Sequence, residues 1–202
     1  FWDVALRNRC TWASTIMFMY KALMQHPVPE RHHFRLWGTS MNETPFDQHF
    51  RVRTIGWWGM TETVTQGIVG DALMSNRSRT TGRPAPGYDI RILRDDLATP
   101  VEPGETGHLQ VRGMRGIQLF LEYLGNARAT SDSFTNDGWF VTGDRMTLEA
   151  DGMLTFADRD KDMLKVGGEN VAASEIERVI AVVEGVHEVA VVAQKHPMLD
   201  EV

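Results

Sequence analysis

Residues 88–93 read Tyr-Asp-Ile-Arg-Ile-Leu and residues 108–111 read His-Leu-Gln-Val, with Pro-Gly-Glu-Thr-Gly between them at 103–107. Short runs of alternating polarity separated by turn residues are typical of antiparallel strands. Asp151 and Gly152 form a further turn signal between two apolar runs. From about residue 82 onward the pattern therefore predicts antiparallel β structure, arranged as a small barrel or a curved sheet.

The region before residue 82 has α/β character. Residues 16–24 are rich in apolar side chains and stop before Pro27, which predicts a buried helix followed by a loop. Residues 34–37 and 51–55 are short strand candidates, and each runs into a glycine. Open α/β sheets place ligands at the carboxyl ends of their strands. We therefore expect binding residues just after these two strands.

A third pattern begins near residue 158. Ser174 and Glu177 have the spacing of a capping box, and apolar residues then follow on one helical face. Gly185 is the expected end of this helix. Residues 186–193 are rich in valine and predict a strand. The end of the sequence therefore indicates the start of a separate α+β unit.

The composition indicates a globular protein and excludes several function classes. The chain has 202 residues, 42% apolar content and a formal net charge of -6, with both signs interspersed. The sequence has no long basic stripe, which argues against nucleic acid as a partner. The longest apolar runs are far shorter than the roughly 20 residues of a membrane-spanning helix. Cys10 is the single cysteine, so no internal disulfide can form, and we expect a cytoplasmic setting.

Residues 58–62 read Trp-Gly-Met-Thr-Glu at the end of a predicted strand. The Trp58 ring has a face on which a purine can stack, and Gly59 lets the backbone approach a ligand. Thr61 can donate to a phosphate oxygen, and Glu62 can bind Mg²⁺. The structural alternative is a core tryptophan followed by a helix start capped by Thr61.

Two later segments also place polar groups beside glycines. Asp144 ends a Thr-Gly-Asp sequence that follows an aromatic pair, and a carboxylate is the usual partner of paired ribose hydroxyls. Residues 158–170 alternate charges before Gly167 and Gly168. Within them Arg159 can donate a bidentate fork and Lys165 supplies a point charge. The structural alternatives are an aspartate in a turn and a solvated charged surface.

Four segments, in order and at matching spacing, resemble the adenylate-forming superfamily of acyl-CoA synthetases, amino-acid adenylation domains and beetle luciferases. Residues 58–62 resemble its Y-G-x-T-E motif, with Trp58 in place of the usual tyrosine. Residues 105–113 resemble the G-E-x-x-V-x-G stretch, and residues 138–144 resemble G-W-x-x-T-G-D. Residues 158–177 resemble the hinge motif that opens the mobile carboxyl-terminal domain.

The resemblance implies a fold and a domain organisation. The fold is α/β with a β-barrel-like segment. Residues 1–160 would form the carboxyl-terminal part of the large AMP-binding domain, α/β to about residue 81 and antiparallel β from about 82. Residues 161–202 would begin the small mobile α+β domain.

The resemblance also implies roles in nucleotide binding. Trp58 would stack near adenine, with Gly59 beside it. Thr61 would contact the α-phosphate and Glu62 would bind Mg²⁺. Asp144 would hold the ribose hydroxyls.

The remaining implied roles concern the hinge region. Arg159 would reach the ribose, and Lys161 would be the hinge on which the small domain rotates between two half-reactions. Lys165, Gly167 and Gly168 would lie on the loop that faces the thiol tunnel. Residues 38–40 fall where the family lines the adenine and acyl pocket.

The implied activity is an acid–thiol ligase reaction. ATP and Mg²⁺ would activate a small carboxylic acid to an acyl-adenylate, and CoA would then accept the acyl group. Residues 165–177 resemble fatty-acyl or carnitine-type ligases more than amino-acid adenylation domains. Residues 1–56 contain no Ser/Thr/Gly-rich phosphate loop, and the family's terminal-domain lysine has no counterpart. We therefore expect this chain to be part of a larger protein and inactive alone.

Other function classes are disfavoured or stay as alternatives. His32 and His33 are adjacent and would not share a helical face, which argues against a metal site. No Gly-x-Ser-x-Gly elbow is present, which argues against an esterase. A non-catalytic nucleotide-binding or partner-binding module on the same scaffold remains the alternative, because fold does not determine function.

Overall fold

The computed structural model describes residues 1–159, 163–166, 169–196 and 200–201. The helices are α1 Trp2–Arg7, α2 Met17–Leu23, α3 Asp47–Phe50, α4 Ala127–Asp132 and α5 Ala173–Ile180, and a 3₁₀ turn spans Thr61–Thr63. The first strands are β1 Trp12–Ser14, β2 Leu36–Thr39, β3 Arg53–Trp58, β4 Ile68–Val69 and β5 Arg83–Pro84. The later strands are β6 Asp89–Leu93, β7 Thr106–Arg112, β8 Phe140–Leu148, β9 Leu154–Arg159, β10 Met163–Val166, β11 Glu169–Ala172, β12 Lys195–His196 and β13 Asp200–Glu201.

The first sheet has the order β1-β2-β3-β4-β5. Strands β1, β2 and β3 are parallel, and β4 and β5 add to them antiparallel. The two predicted strands correspond to β2 and β3, each displaced by about two residues. The α/β character of this region is therefore confirmed.

Aromatic side chains form the core beside this sheet. Trp37 and Phe50 are fully buried, with ring centroids 5.2 Å apart. Helix α2 covers most of the predicted span and buries Tyr20 and Leu23, while Phe18 is 72% exposed. The helix is therefore amphipathic rather than buried on all sides.

The second sheet is antiparallel, with the order β6-β7-β8-β9. Its inner face supplies a second core that includes Leu109, Val111, Phe140 and Met146. These residues occupy alternate positions of β7 and of β8, as expected for strands with one buried face. Within the described ranges β6 and β9 do not pair with each other, so the sheet is open. The antiparallel prediction is confirmed, and the described strands form an open sheet and no closed barrel.

The last sheet has the order β11-β10-β13-β12, and α5 follows β11 directly. The predicted capping box at the start of α5 is wrong. Ser174 Oγ donates to Asp158 Oδ2 at 2.7 Å, and Glu177 Oε1 accepts from the backbone N–H of Val191 at 2.8 Å. Because both side chains bond outside the first turn, neither caps the helix, whose N-cap is Ala172.

The strand predicted at 186–193 is also wrong. Helix α5 ends at Ile180, before Gly185, and the next strand is β12. Val182 and Val192 are 82% and 78% exposed. Valine favours a strand only where a neighbouring strand accepts its backbone hydrogen bonds, and no described strand pairs with this segment. Separately, none of the described helices combines the length and apolarity that crossing a membrane requires.

Candidate functional site

An open cleft of about 410 Å³ lies where the first sheet meets the antiparallel sheet. Thr15 follows β1, Ser40 follows β2, and Trp57 and Trp58 end β3, so the cleft is at the carboxyl ends of the parallel strands. This is the edge at which the sequence predicts ligands. The described lining residues are Thr15, Ile16, Ser40, Trp57, Trp58, Gly59, Gln66, Thr81, Asp144, Phe156 and Arg159.

Asp144 is the buried carboxylate of this cleft, with 2% of the residue exposed. Its Oδ2 accepts a hydrogen bond from Trp58 Nε1 at 2.7 Å, and its Oδ1 lies 3.0 Å from Arg159 Nε. Its backbone N–H donates to Thr142 Oγ1 at 3.1 Å. A buried carboxylate needs such partners, because an isolated ion is costly to remove from water.

The local backbone places Asp144 at the cleft. Gly143 has a φ of +72°, in the left-handed region that other residues avoid. Asp144 pairs with Arg159 in the β8–β9 register, and the register shifts between Arg145 and Met146. Such a bulge re-aims neighbouring side chains. The Thr-Gly-Asp sequence therefore has more than a turn role, because it directs a buried acid into the cleft.

Tryptophan rings form one side of the cleft. Trp58 is 7% exposed and belongs to the antiparallel sheet's core, while Trp57 is half-buried. A Cβ on Gly38 would lie 2.3 Å from the Trp57 ring, so only glycine lets this ring pack across β2. Phe156 is 41% exposed and Ile16 is 63% exposed on the same cleft. The walls therefore offer apolar surface, and Trp58 serves both as core and as lining.

Thr61 and Glu62 are on the 3₁₀ turn and are not among the described residues that line the cleft. Thr61 is exposed and does not cap the turn, because Thr63 Oγ1 accepts from Met60 N–H at 2.9 Å. Glu62 Oε1 accepts from the hydroxyl of Tyr123 at 2.8 Å. Burial, and then the hydrogen bond to Glu62, raise the pKa of Tyr123 above its ordinary value.

The predicted hinge residues fall mostly outside the described residues. Lys161, Gly167 and Gly168 lie outside them, and Lys165 is described only as part of the backbone of β10. Arg159 is described and lines the cleft. The structure thus brings Trp58, Gly59, Asp144 and Arg159 together, with Glu62 on an adjacent turn.

Several lining residues were not predicted from the sequence. Thr81, Gln66 and Phe156 reach the cleft from connections or strands with no chemical motif. Tyr123 contacts Glu62 from a loop 61 residues further along the chain. Such contacts depend on how separate segments pack, so no local pattern marks them.

Among the described residues, no group of three or more His, Cys, Asp and Glu side chains is placed to hold a metal ion. The ring of His32 bonds the backbone carbonyl of Phe50 through Nε2 at 2.9 Å, as a structural histidine does. Glu62 could supply one carboxylate to an ion that takes its other ligands from phosphate and water.

Residues 1–124 match the family described as AMP-binding enzyme. The chain belongs to this family. The match covers the first sheet, the 3₁₀ turn and the first half of the antiparallel sheet. Over its whole length the chain is also similar to crotonobetaine/carnitine–CoA ligases.

Three known proteins illustrate the similarity. The crotonobetaine/carnitine–CoA ligase of Salmonella paratyphi C is 34% identical over 210 residues, covering 100% of this chain and 40% of the relative. ATP-bound MatB from Rhodopseudomonas palustris has a TM-score of 0.82 at 26% identity, covering 96% of this chain and 40% of that one. O-succinylbenzoate coenzyme A synthetase from Bacillus subtilis, in complex with ATP and magnesium ion, has a TM-score of 0.78 at 26% identity, with 96% and 41% covered. The chain thus spans about 40% of the length of the curated relatives it matches.

Proposed function

We propose that the complete protein uses ATP to activate a carboxylic acid, of fatty or carnitine type, to an acyl-adenylate and transfers the acyl group to CoA. The observation that carries the proposal is the buried Asp144 carboxylate, held in an apolar cleft by Trp58 and Arg159. A carboxylate in such a position suits the paired hydroxyls of a ribose. The 34% identity to a crotonobetaine/carnitine–CoA ligase supports the acid class.

The cleft fits a nucleoside in size and chemistry. Its volume of about 410 Å³ lies within the range of small-molecule sites, about 300–1,000 Å³. Trp57, Trp58 and Phe156 supply aromatic surface, and a purine can pack on such rings. A carboxylate has about four acceptor positions, so Asp144 can bond hydroxyls while it keeps Trp58 and Arg159 as partners.

The phosphate end of the nucleotide would lie beyond this cleft, toward the 3₁₀ turn. Thr61 is exposed there and would donate to the α-phosphate. Glu62 would be the protein's carboxylate on Mg²⁺, with Tyr123 fixing its orientation through Oε1. This donor set fits Mg²⁺, which is often bound by one or two carboxylates together with substrate phosphates. When bound, the ion neutralises the charge that develops on the phosphates.

The second half-reaction would use the residues after β9. We propose that Lys161 is the hinge of the small domain and that Lys165, Gly167 and Gly168 face the thiol. We also propose that residues 1–160 are the later part of the large domain and that residues 161–202 begin the small one. The chain spans about 40% of the length of these relatives, and we propose that it does not complete the reaction alone.

The test is a product assay on the complete protein. ATP, Mg²⁺ and CoA are mixed with a panel of fatty acids and carnitine-type acids, and pyrophosphate and acyl-CoA are measured separately. We expect pyrophosphate release that depends on one class of acid, followed by the matching acyl-CoA. Binding of ATP without acid-dependent pyrophosphate would instead support the non-catalytic nucleotide-binding alternative.

A further inference from the structure

Trp58 makes a contact that its proposed role beside adenine does not require. Its indole Nε1 lies 2.7 Å from Asp144 Oδ2, although the two residues are 86 positions apart in the chain. Both residues are more than nine-tenths buried. Indole N–H is a donor only, and the acceptor here is a carboxylate, so this is a charge-assisted hydrogen bond with a fixed direction.

The bond constrains the carboxylate from a different sheet. Asp144 is on β8, and its cross-strand neighbour Arg159 on β9 contacts Oδ1. Trp58 ends β3 in the first sheet and contacts Oδ2. A hydrogen bond to one oxygen and an ion pair with the other, from residues on separate elements, therefore restrict the rotation of the carboxylate plane. A carboxylate held at only one of its oxygens would still be able to rotate about the bond to its Cβ.

The ring of Trp58 is itself fixed by packing. It is part of the core that includes Ile68 and Tyr88, and Gly67 leaves room for it: a Cβ there would lie 3.1 Å from the ring. A phenylalanine could fill much of this space but has no N–H group. The packed indole of Trp58 therefore presents its N–H at a defined position.

We propose that Trp58 is a positioning residue that orients Asp144 and so sets the preference of the cleft for a ribose with free hydroxyls. The inference rests on the proposed function, because it assumes that Asp144 binds those hydroxyls. Trp58 contributes through the hydrogen bond to Asp144, separately from any stacking of its ring on the base. The two contributions are distinguishable because only the first depends on the sugar.

The experiment compares two ligands and two variants in the complete protein. Dissociation constants are measured by calorimetry for AMP and for 2′,3′-dideoxy-AMP, which lacks both hydroxyls. Trp58→Phe removes the N–H, and any change in stacking affects both ligands alike. Trp2→Phe is the matched control, because Trp2 is a buried tryptophan of the other core whose Nε1 has no hydrogen-bond partner among the described residues.

We expect the wild type and Trp2→Phe to prefer AMP by at least about tenfold, the effect of one charge-assisted hydrogen bond. Trp58→Phe should lower that preference by about tenfold. An unchanged preference in Trp58→Phe overturns the positioning role while leaving the proposed function intact. No preference for AMP in the wild type overturns the role of Asp144 itself, and the inference with it.

A second measurement does not depend on the folding of Trp58→Phe. Each of the 6 tryptophans of this sequence gives one indole N–H signal in the spectrum of the ¹⁵N-labelled complete protein. Asp144→Asn keeps the shape of the side chain and removes its charge. We expect it to shift one indole signal strongly, and to lower the preference for AMP. Indole signals that all stay in place would show that Asp144 does not accept from Trp58 in solution, which overturns the proposal.

Discussion

Asp144 and Arg159 face each other across β8 and β9, with Arg159 Nε 3.0 Å from Asp144 Oδ1. The arginine side chain is 44% exposed and the aspartate side chain 2%, so a surface cation partly neutralises a buried anion at the mouth of the cleft. A buried carboxylate that loses its cation is costly, because the remaining charge is uncompensated. The pair therefore offsets the burial of the acid at the cleft.

Asp144→Ala in the complete protein should weaken the use of ATP. Loss of a charge-assisted hydrogen bond costs about 1.5–3 kcal/mol, which is roughly 10- to 150-fold in the specificity constant for ATP. The KM for CoA should barely change. The matched control is Asp89→Ala, which removes an exposed aspartate paired with Arg112 on the same sheet. Equal losses in the two variants would contradict a ribose role for Asp144.

Asn42 connects the elements that carry the cleft, and its substitution should destabilise the fold. The side chain is fully buried, accepts from Gly56 N–H at 2.7 Å and donates to Thr80 Oγ1 at 3.0 Å. In Asn42→Ala the N–H of Gly56 loses its acceptor inside the sheet, so we expect a loss of about 1–3 kcal/mol in the free energy of unfolding. Urea denaturation measures it.

Asn8→Ala is the control for that measurement. Asn8 is exposed, and its amide donates to the carbonyl of Val4 at 2.8 Å. Surface substitutions of this kind usually change stability by less than about 0.5 kcal/mol. Similar midpoints for the two variants would mean that the buried network around Asn42 adds nothing beyond a surface hydrogen bond.

Much of the fold follows from local patterns. The alternating runs near residues 88–93 and 108–111 correspond to β6 and β7. The glycines expected to follow the first two predicted strands lie within β2 and β3, whose carboxyl ends form the edge of the cleft. The valine-rich run at 186–193 led to a wrong strand prediction, because strand formation depends on a partner strand. The capping-box prediction at Ser174 was also wrong, because the hydroxyl of Ser174 donates to Asp158 on another element.

Less of the site than of the fold could be predicted from the sequence. Asp144 was singled out by its Thr-Gly-Asp sequence, whereas its hydrogen bond to Trp58 joins segments 86 residues apart. The β8–β9 register that brings Arg159 opposite Asp144 depends on a shift next to Arg145, which has no sequence signal. Long-range packing decides such pairs, so they are visible only in three dimensions.

The contact between Tyr123 and Glu62 predicts a pH dependence. Burial, and then the hydrogen bond to Glu62, raise the pKa of Tyr123 above its ordinary value of 10.0. Because the folded pKa is raised, the stabilisation is fully present below about pH 10 and is lost as the pH rises through the folded value. Glu62→Gln removes the neighbouring negative charge, so we expect the pKa of Tyr123 to fall.

Ultraviolet titration of tyrosine ionisation measures this change. Burial also raises the pKa of Tyr20, so the step that belongs to Tyr123 is identified by its absence in Tyr123→Phe. A Tyr123 step at the same pH in Glu62→Gln and in the wild type would show that the two side chains do not interact in solution.

The segment after β9 carries the last prediction. Asp158 on β9 accepts from Ser174 in the first turn of α5 at 2.7 Å, so a side-chain hydrogen bond joins elements on either side of Lys161. Rotation about a hinge at Lys161 would have to break this bond. Lys161 lies outside the described residues, and its proposed hinge role rests on the hinge motif of residues 158–177.

Lys161→Pro tests the rotation directly. Proline holds φ near -65° and so opposes a change of backbone angle, whereas Lys161→Ala removes the charge and keeps the rotation. In the complete protein we expect Lys161→Pro to form acyl-adenylate at nearly the normal rate and to lose thioester formation by orders of magnitude, while Lys161→Ala retains both. Single-turnover measurements of acyl-adenylate and acyl-CoA separate the steps. Equal losses in both steps for the proline variant would mean local unfolding or a hinge elsewhere, because a locked rotation affects only the step that follows it.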